Sequence, residues 1–309
     1  MNPLKIYLLD LTYNTTTLST EAFPINIGYV AAYAKEQFGQ NIEISLFKYI
    51  DDVECELKRS PPDILGVSNY AWNYRIGCEM ANVFSKLNPN GLVVFGGPNF
   101  PVDLPSQERF FRENPIVDIY IPTEGEVGFT NIVQKSLEAK SHKEIRNKVL
   151  SQPIDGCITR SSDGKLHYTI PEIRIKKLDE IPSPYLTGLM DKFFDGKLSP
   201  MIQTNRGCPF HCTFCTDGRD SVNQINSFSL DRISAEINYI ANNAPLETDN
   251  LLISDLNFGM FPKDSAVCDF IDESKKKFGY PKRVKCTTGK NQKKRIISNI
   301  EKLRGSIKM

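Results

Sequence analysis

Short apolar runs that alternate with segments of helical spacing constrain this chain more than any other feature. "KIYLLDL" (5–11), "IEISLFKYI" (42–50), "DILGVSNY" (63–70), "GLVVFGGPNFP" (91–101) and "VDIYIPTEGE" (117–126) each contain a run suited to a buried strand. Between them, "INIGYVAAYAKEQFG" (25–39) has helical spacing and closes on Gly39, and "RIGCEMANVFSKLNP" (75–89) stops before Pro89. "VECELKRS" predicts a short helix and "VGFTNIVQKSLEAK" a closing one. Strands separated by helices run parallel, so the fold class is α/β, with a doubly wound parallel sheet over residues 1–140.

Residues 141–195 differ in character. "PIDGCITRSSDGKLHYTI" (153–170) predicts a β-hairpin, and the proline-punctuated "KKLDEIPSPYLTGLMDKFF" a connector. Over 196–309 the rhythm returns as three strand–helix units, led by the strands "LSPMIQTN", "NLLISDLNFG" and "RVKCTTGK". Ser229 is placed to cap the first helix of this half, and Gly279 to end the second.

Composition narrows the classes of partner. A formal net charge of +1 gives no electrostatic case for nucleic acid or a membrane surface. No apolar run approaches a membrane span and the start has no cleavage site, so the expectation is a cytoplasmic protein with reduced cysteines. Of eight cysteines, Cys55, Cys78, Cys157, Cys268 and Cys286 are scattered, as ordinary thiols are. The other three are clustered.

Two regions carry candidate chemistry. In a doubly wound sheet, ligands bind outside the carboxyl ends of the strands. Here those ends carry "TYNTTTLSTEAFPIN", "SNYAWNY", "GGPNFP" and "PTEGE", with Trp72 the chain's one tryptophan. Gly96 and Gly97 either let backbone approach a ligand or simply make a turn. The second region is "TNRGCPFHCTFCTDG" (204–218), with Cys208, Cys212 and Cys215 on a loop directly after a strand. Structural zinc needs a fourth ligand, and His211 would have to turn back on its neighbour Cys212 to supply it. A 4Fe–4S cube fits the set better: three thiolates hold three irons and leave the fourth open. Gly207, Pro209 and Gly218 suit the tight turns, and Phe210 and Phe214 would shield a cluster from water.

"RGCPFHCTFC" resembles the Cys-x3-Cys-x2-Cys signature of the radical S-adenosylmethionine enzymes. The longer run from residue 181 to 218, with "GGPNFP" and "EGE" upstream, resembles the subfamily that carries an N-terminal cobalamin (vitamin B12)-binding domain. The resemblance implies a Rossmann-like cobalamin-type domain followed by an incomplete (β/α) TIM-like barrel. It implies that Cys208, Cys212 and Cys215 ligate the cluster and that S-adenosylmethionine chelates the open iron. Reductive cleavage to a 5′-deoxyadenosyl radical would then activate a substrate C–H bond, with methylation one outcome. An electron donor such as flavodoxin or ferredoxin is implied, with a small-molecule or peptide substrate that the residues do not identify. Phe214 matches the position near adenine, and Asp255 and Asn257 the positions near the methionyl amine. Gly96, Gly97 and Trp72 would line the corrinoid cleft.

Two departures qualify the resemblance. No histidine precedes His142, so any cobalamin here would be bound without histidine ligation. The 112 residues from Leu198 to Met309 are fewer than a (β/α) barrel of this type needs. A fragment, a split protein completed by a second chain and a vestigial chain all remain open, and the expectation is a truncated family member with incomplete catalytic equipment. The alternative is a non-catalytic corrinoid- or nucleotide-binding module whose cysteine loop is a relic or takes zinc.

Overall fold

The computed structural model describes residues 2–14, 17–161, 163–169, 174–213, 215–218, 223–304 and 307–308. The chain divides into two compact units, one of residues 1–20 and 26–174, the other of residues 21–25 and 175–309.

The first unit is built on β1 (Leu4–Thr12), α1 (Ile25–Phe38), β2 (Ile42–Tyr49), α2 (Ile50–Arg59), β3 (Ile64–Ser68), α3 (Tyr74–Leu87), β4 (Leu92–Gly96), α4 (Leu104–Glu113), β5 (Ile119–Ile121), α5 (Gly125–Leu137), α6 (Ile145–Leu150), β6 (Cys157–Arg160) and β7 (Leu166–Thr169). Its sheet runs β2-β1-β3-β4-β5-β6-β7, parallel through β5, and the predicted hairpin β6–β7 extends it antiparallel. Every residue of β3 is buried, as expected of a strand covered on both faces. One core joins the sheet to its helices through Tyr7, Leu65, Val93, Tyr120, Phe84 and Phe110. Strand order reverses between β1 and β3, which places a crevice at their carboxyl ends.

Three helices of this unit differ from the sequence expectation, among them α6, which lies where a connector was expected. Helix α2 starts at Ile50, which the sequence pattern assigns to the preceding strand. Helix α4 has no counterpart in the expected elements. Its start is set by Asp103, whose carboxylate accepts from Ser106 N at 2.9 Å, and by Pro105 in the first turn.

The second unit contains β8 (Met201–Ile202), β9 (Asn205–Arg206), β10 (Asn226–Ser227), α7 (Leu230–Asn243), β11 (Asn250–Phe258), α8 (Asp264–Phe278), β12 (Arg283–Thr288), α9 (Lys293–Lys302) and β13 (Ile307–Lys308). Four strands pair in parallel in the order β13-β12-β11-β8, and β9 and β10 form a separate antiparallel ribbon. Ser229 caps α7 by accepting from Arg232 N at 3.2 Å, and Gly279 ends α8 at φ +74°. Residues 21–25 join this unit through Ala22, which bridges Ser199, and through Phe23, whose ring lies 5.0 Å from that of Phe194. No helix among the described residues is long and apolar enough to cross a membrane.

The glycine pair after β4 separates into two roles. Gly97 has φ +124°, and a Cβ there would lie 2.8 Å from the Asn69 carbonyl oxygen. A Cβ at Gly96 would make an ordinary contact, 3.5 Å from the Ile121 oxygen. Gly97→Ala is expected to lower the unfolding free energy by about 2–3 kcal/mol, and Gly96→Ala to change it by no more than about 0.5 kcal/mol, as measured by urea denaturation. Equal losses would contradict the assignment.

Candidate functional site

The carboxyl ends of β1 and β3 in the first unit carry a buried polar cluster and, in the loop after β3, an aromatic pair. Asp10, one residue past the Leu9–Phe47 pair on β1, and Lys48, one past it on β2, meet at 3.2 Å in a buried ion pair. The Asp10 carboxylate also accepts from Ser68 Oγ at 2.6 Å and Asn73 Nδ2 at 3.1 Å. Such a pair survives burial because its polar atoms find partners. Trp72 is 52% exposed and stacks on Tyr70 with ring centres 4.6 Å apart. The backbone that approaches Gly97 is the chain's own: Asn69 N donates to Gly96 O at 2.7 Å, and Asn99 N to Asn69 O at 3.1 Å. Asp10, Lys48, Ser68 and Asn73 were not among the expected site residues. The available signal was a charge, Asp10 or Lys48, near the carboxyl end of each of two strand runs.

The cysteine loop of the second unit leaves β8 under tight control. Asp255 on β11 accepts from Thr204 N at 2.7 Å, Asn205 N at 3.3 Å and Asn205 Nδ2 at 2.7 Å, and from Thr204 Oγ1. Lys263 donates to Thr204 O at 2.6 Å. Burial pushes the Asp255 carboxyl up to about 6, against the pull of Thr204 and Lys263, and burial likewise lowers the Lys263 ammonium. The chain then turns at Gly207, φ +103°, and delivers Cys208 into the interior.

Cys208 Sγ accepts from Asn257 Nδ2 at 3.3 Å. Asn257 is itself buried, and its Oδ1 has no hydrogen-bond partner among the described residues. Cys212 is half-buried, with Lys290 Nζ 3.4 Å from its sulfur, and Cys215 is exposed. Between them the loop coils on itself: Cys215 N donates to Cys212 O at 3.0 Å and Gly218 N to Cys215 O at 3.1 Å. A Cβ at Gly218 would fall 2.4 Å from Cys212 O, so this turn admits only glycine without rearrangement. Phe210 lies under the Lys290 ammonium, 5.6 Å from it, and Phe214 is outside the described residues.

Among the described residues, no three His, Cys, Asp or Glu side chains converge where one metal ion would sit. A cube does not ask for such convergence, because each thiolate binds its own iron. The loop fits that donor set: three sulfurs on one tight coil, one of them buried against an amide donor. The other thiols are unlike these. Burial raises the Cys78, Cys157, Cys268 and Cys286 thiols, which makes them poor ligands and nucleophiles, and Cys55 is exposed on α2.

No protein-family model matches the chain. The 2-(S-pantetheinyl)-carbapenam-3-carboxylate methyltransferase of Streptantibioticus cattleyicolor is 28% identical over 303 residues, covering 95% of this chain and 41% of that protein. The cobalamin-dependent radical SAM methyltransferase TokK of Streptomyces tokunonensis is 31% identical over 243 residues, covering 76% of this chain and 33% of that protein. The chain therefore spans well under half the length of these relatives. In fold it is similar to the radical S-adenosylmethionine methyltransferase TsrM from Kitasatospora setae, solved with cobalamin and a 4Fe–4S cluster bound, at a TM-score of 0.65 and 13% identity. That match covers 100% of this chain and 60% of the other.

Asp255 is the element on which the loop's position rests. Asp255→Leu leaves buried donors without an acceptor, and is expected to lower the stability of the chain by roughly 3 kcal/mol in urea unfolding. Asp255→Asn should lose less, since the amide oxygen keeps part of the acceptor capacity. An undiminished midpoint for Asp255→Leu would show that the loop does not depend on this carboxylate.

Proposed function

Since this chain belongs to the radical S-adenosylmethionine proteins with an N-terminal cobalamin-binding-type domain, we propose that it takes part in radical-dependent methyl transfer. Cys208, Cys212 and Cys215 would hold a 4Fe–4S cluster, with S-adenosylmethionine on the iron they leave open. The single observation that carries this reading is the cysteine loop itself, coiled so that Cys208 is buried against Asn257 while Cys212 and Cys215 lie nearer the surface. When bound and reduced, such a cluster supplies one electron for cleavage of the sulfonium, delivered to the protein by a donor such as flavodoxin or ferredoxin.

The residues divide the work. Asp255 fixes the strand end that carries the loop, through Thr204 and Asn205. Asn257 keeps a buried carbonyl oxygen open, an acceptor suited to the methionyl amine of the cofactor. Phe210 is an apolar side chain of the loop itself, suited to keeping water from the sulfurs.

In the first unit, the crevice between the ends of β1 and β3 suits a corrinoid: Trp72 and Tyr70 offer stacked aromatic rings in the loop after β3, and the strand ends carry buried amide, hydroxyl and carboxylate groups. Any cobalamin there is held without a histidine on cobalt, since the first histidine of the chain, His142, comes after α5 and makes a 2.7 Å contact with Asp63. The methyl-transfer chemistry belongs to the named relatives and comes to this chain by the same reading; its substrate is a small molecule or peptide.

Anaerobic reconstitution tests the ligand set. Cys212→Ala is expected to lose most of the iron and acid-labile sulfide, while Cys55→Ala retains as much as the unaltered chain. Equal loss from both variants would overturn the assignment.

A further inference from the structure

Among the described residues, two side-chain donors from outside the loop reach its sulfurs. Asn257 donates to Cys208 from near the end of β11, and Lys290 reaches Cys212 from just beyond the end of β12, at 3.3 and 3.4 Å. These two strands are parallel neighbours, so the sheet carries both donors at the same edge. Their settings are opposite. Asn257 is neutral, buried and removed from solvent, whereas Lys290 is exposed and carries a full charge.

A sulfur that accepts a hydrogen bond, or faces a cation, passes less negative charge to its iron. The reduced cluster carries one more electron than the oxidised one, so donors at the sulfurs stabilise the reduced form and raise the potential. Resting on the cluster assignment above, we propose that Asn257 and Lys290 are positioning residues that set the reduction potential of the cluster, acting through Cys208 and Cys212. The step they bias is the entry of one electron from a low-potential protein donor; no bond forms or breaks, and no proton moves.

The two contributions separate by salt. A buried neutral amide is insensitive to ionic strength, while the effect of an exposed ammonium is screened within a Debye length that falls from about 10 Å at 0.1 M to about 3 Å at 1 M. The test is an EPR-monitored redox titration of the full reconstituted chain without S-adenosylmethionine, with iron and sulfide assayed on each sample. Asn257→Leu is expected to shift the ratio of reduced to oxidised cluster about tenfold toward oxidised at a fixed poise, a fall of about 59 mV for one electron. This shift should be equal at both salt concentrations.

Lys290→Met is expected to lower the potential less, with most of the change gone at 1 M salt, and Lys290→Arg to restore it. Unchanged potentials in Asn257→Leu and Lys290→Met, at iron content equal to the unaltered chain, would overturn the proposal and leave the cluster assignment standing. If Asn257→Leu retains no cluster, the Lys290 pair decides the matter alone, because Lys290 is exposed and its replacement leaves the core intact. Absence of iron from the unaltered chain would remove the assignment beneath the proposal and the proposal with it.

Discussion

Asp255 sits inside the second unit with its carboxylate withdrawn from water, and the donors that compensate it belong to the two residues that lead into the cysteine loop. Burying a carboxylate is costly, and the cost is offset only while those donors stay aimed at it. The exchange works in both directions. The backbone at Thr204 and Asn205 cannot drift without stranding the carboxylate, and Lys263 closes the arrangement from the other side by donating to Thr204 O. With that end fixed, a single turn at Gly207 decides where Cys208 lands. The position of Cys208 is therefore inherited from the sheet, while the loop's own hydrogen bonds coil the stretch from Cys212 to Gly218.

The first unit follows the same logic at a different edge. Near the carboxyl ends of β1, β2 and β3, Asp10, Lys48 and Ser68 form a buried, hydrogen-bonded cluster. Both units thus keep polar groups in register at one end of a parallel sheet. A parallel sheet brings the ends of strands that are distant in sequence to one edge, which a loop alone would have to achieve at the cost of chain entropy.

Much of this was legible in the sequence. The parallel sheet of the first unit, the β6–β7 hairpin and the cap of α7 by Ser229 follow from periodicity and capping chemistry. The placement of Asp255 and Asn257 was also accessible, since alternation carries Leu251, Ile253, Asp255 and Asn257 along one face of β11, and all four are buried. Other features left little trace. Helix α4 hides behind Pro105 and a polar stretch, and only the burial of Phe110 and Phe111 reveals its apolar side. The β9–β10 ribbon has two residues on each strand, too few for any period. Lys263 and Lys290 stand 59 and 78 residues from the atoms they reach, and a surface lysine looks the same in sequence whether or not it has such a partner.

The central claim is that three thiolates on this loop hold a cube with one open iron. It is met most directly by EPR spectroscopy of the anaerobically reconstituted, dithionite-reduced chain, recorded with and without S-adenosylmethionine. The account predicts the signal of a reduced 4Fe–4S cluster whose spectrum shifts when S-adenosylmethionine is added, because the cofactor occupies the iron that no cysteine binds. A cluster signal that is unchanged by S-adenosylmethionine, or no cluster signal at all, would contradict it.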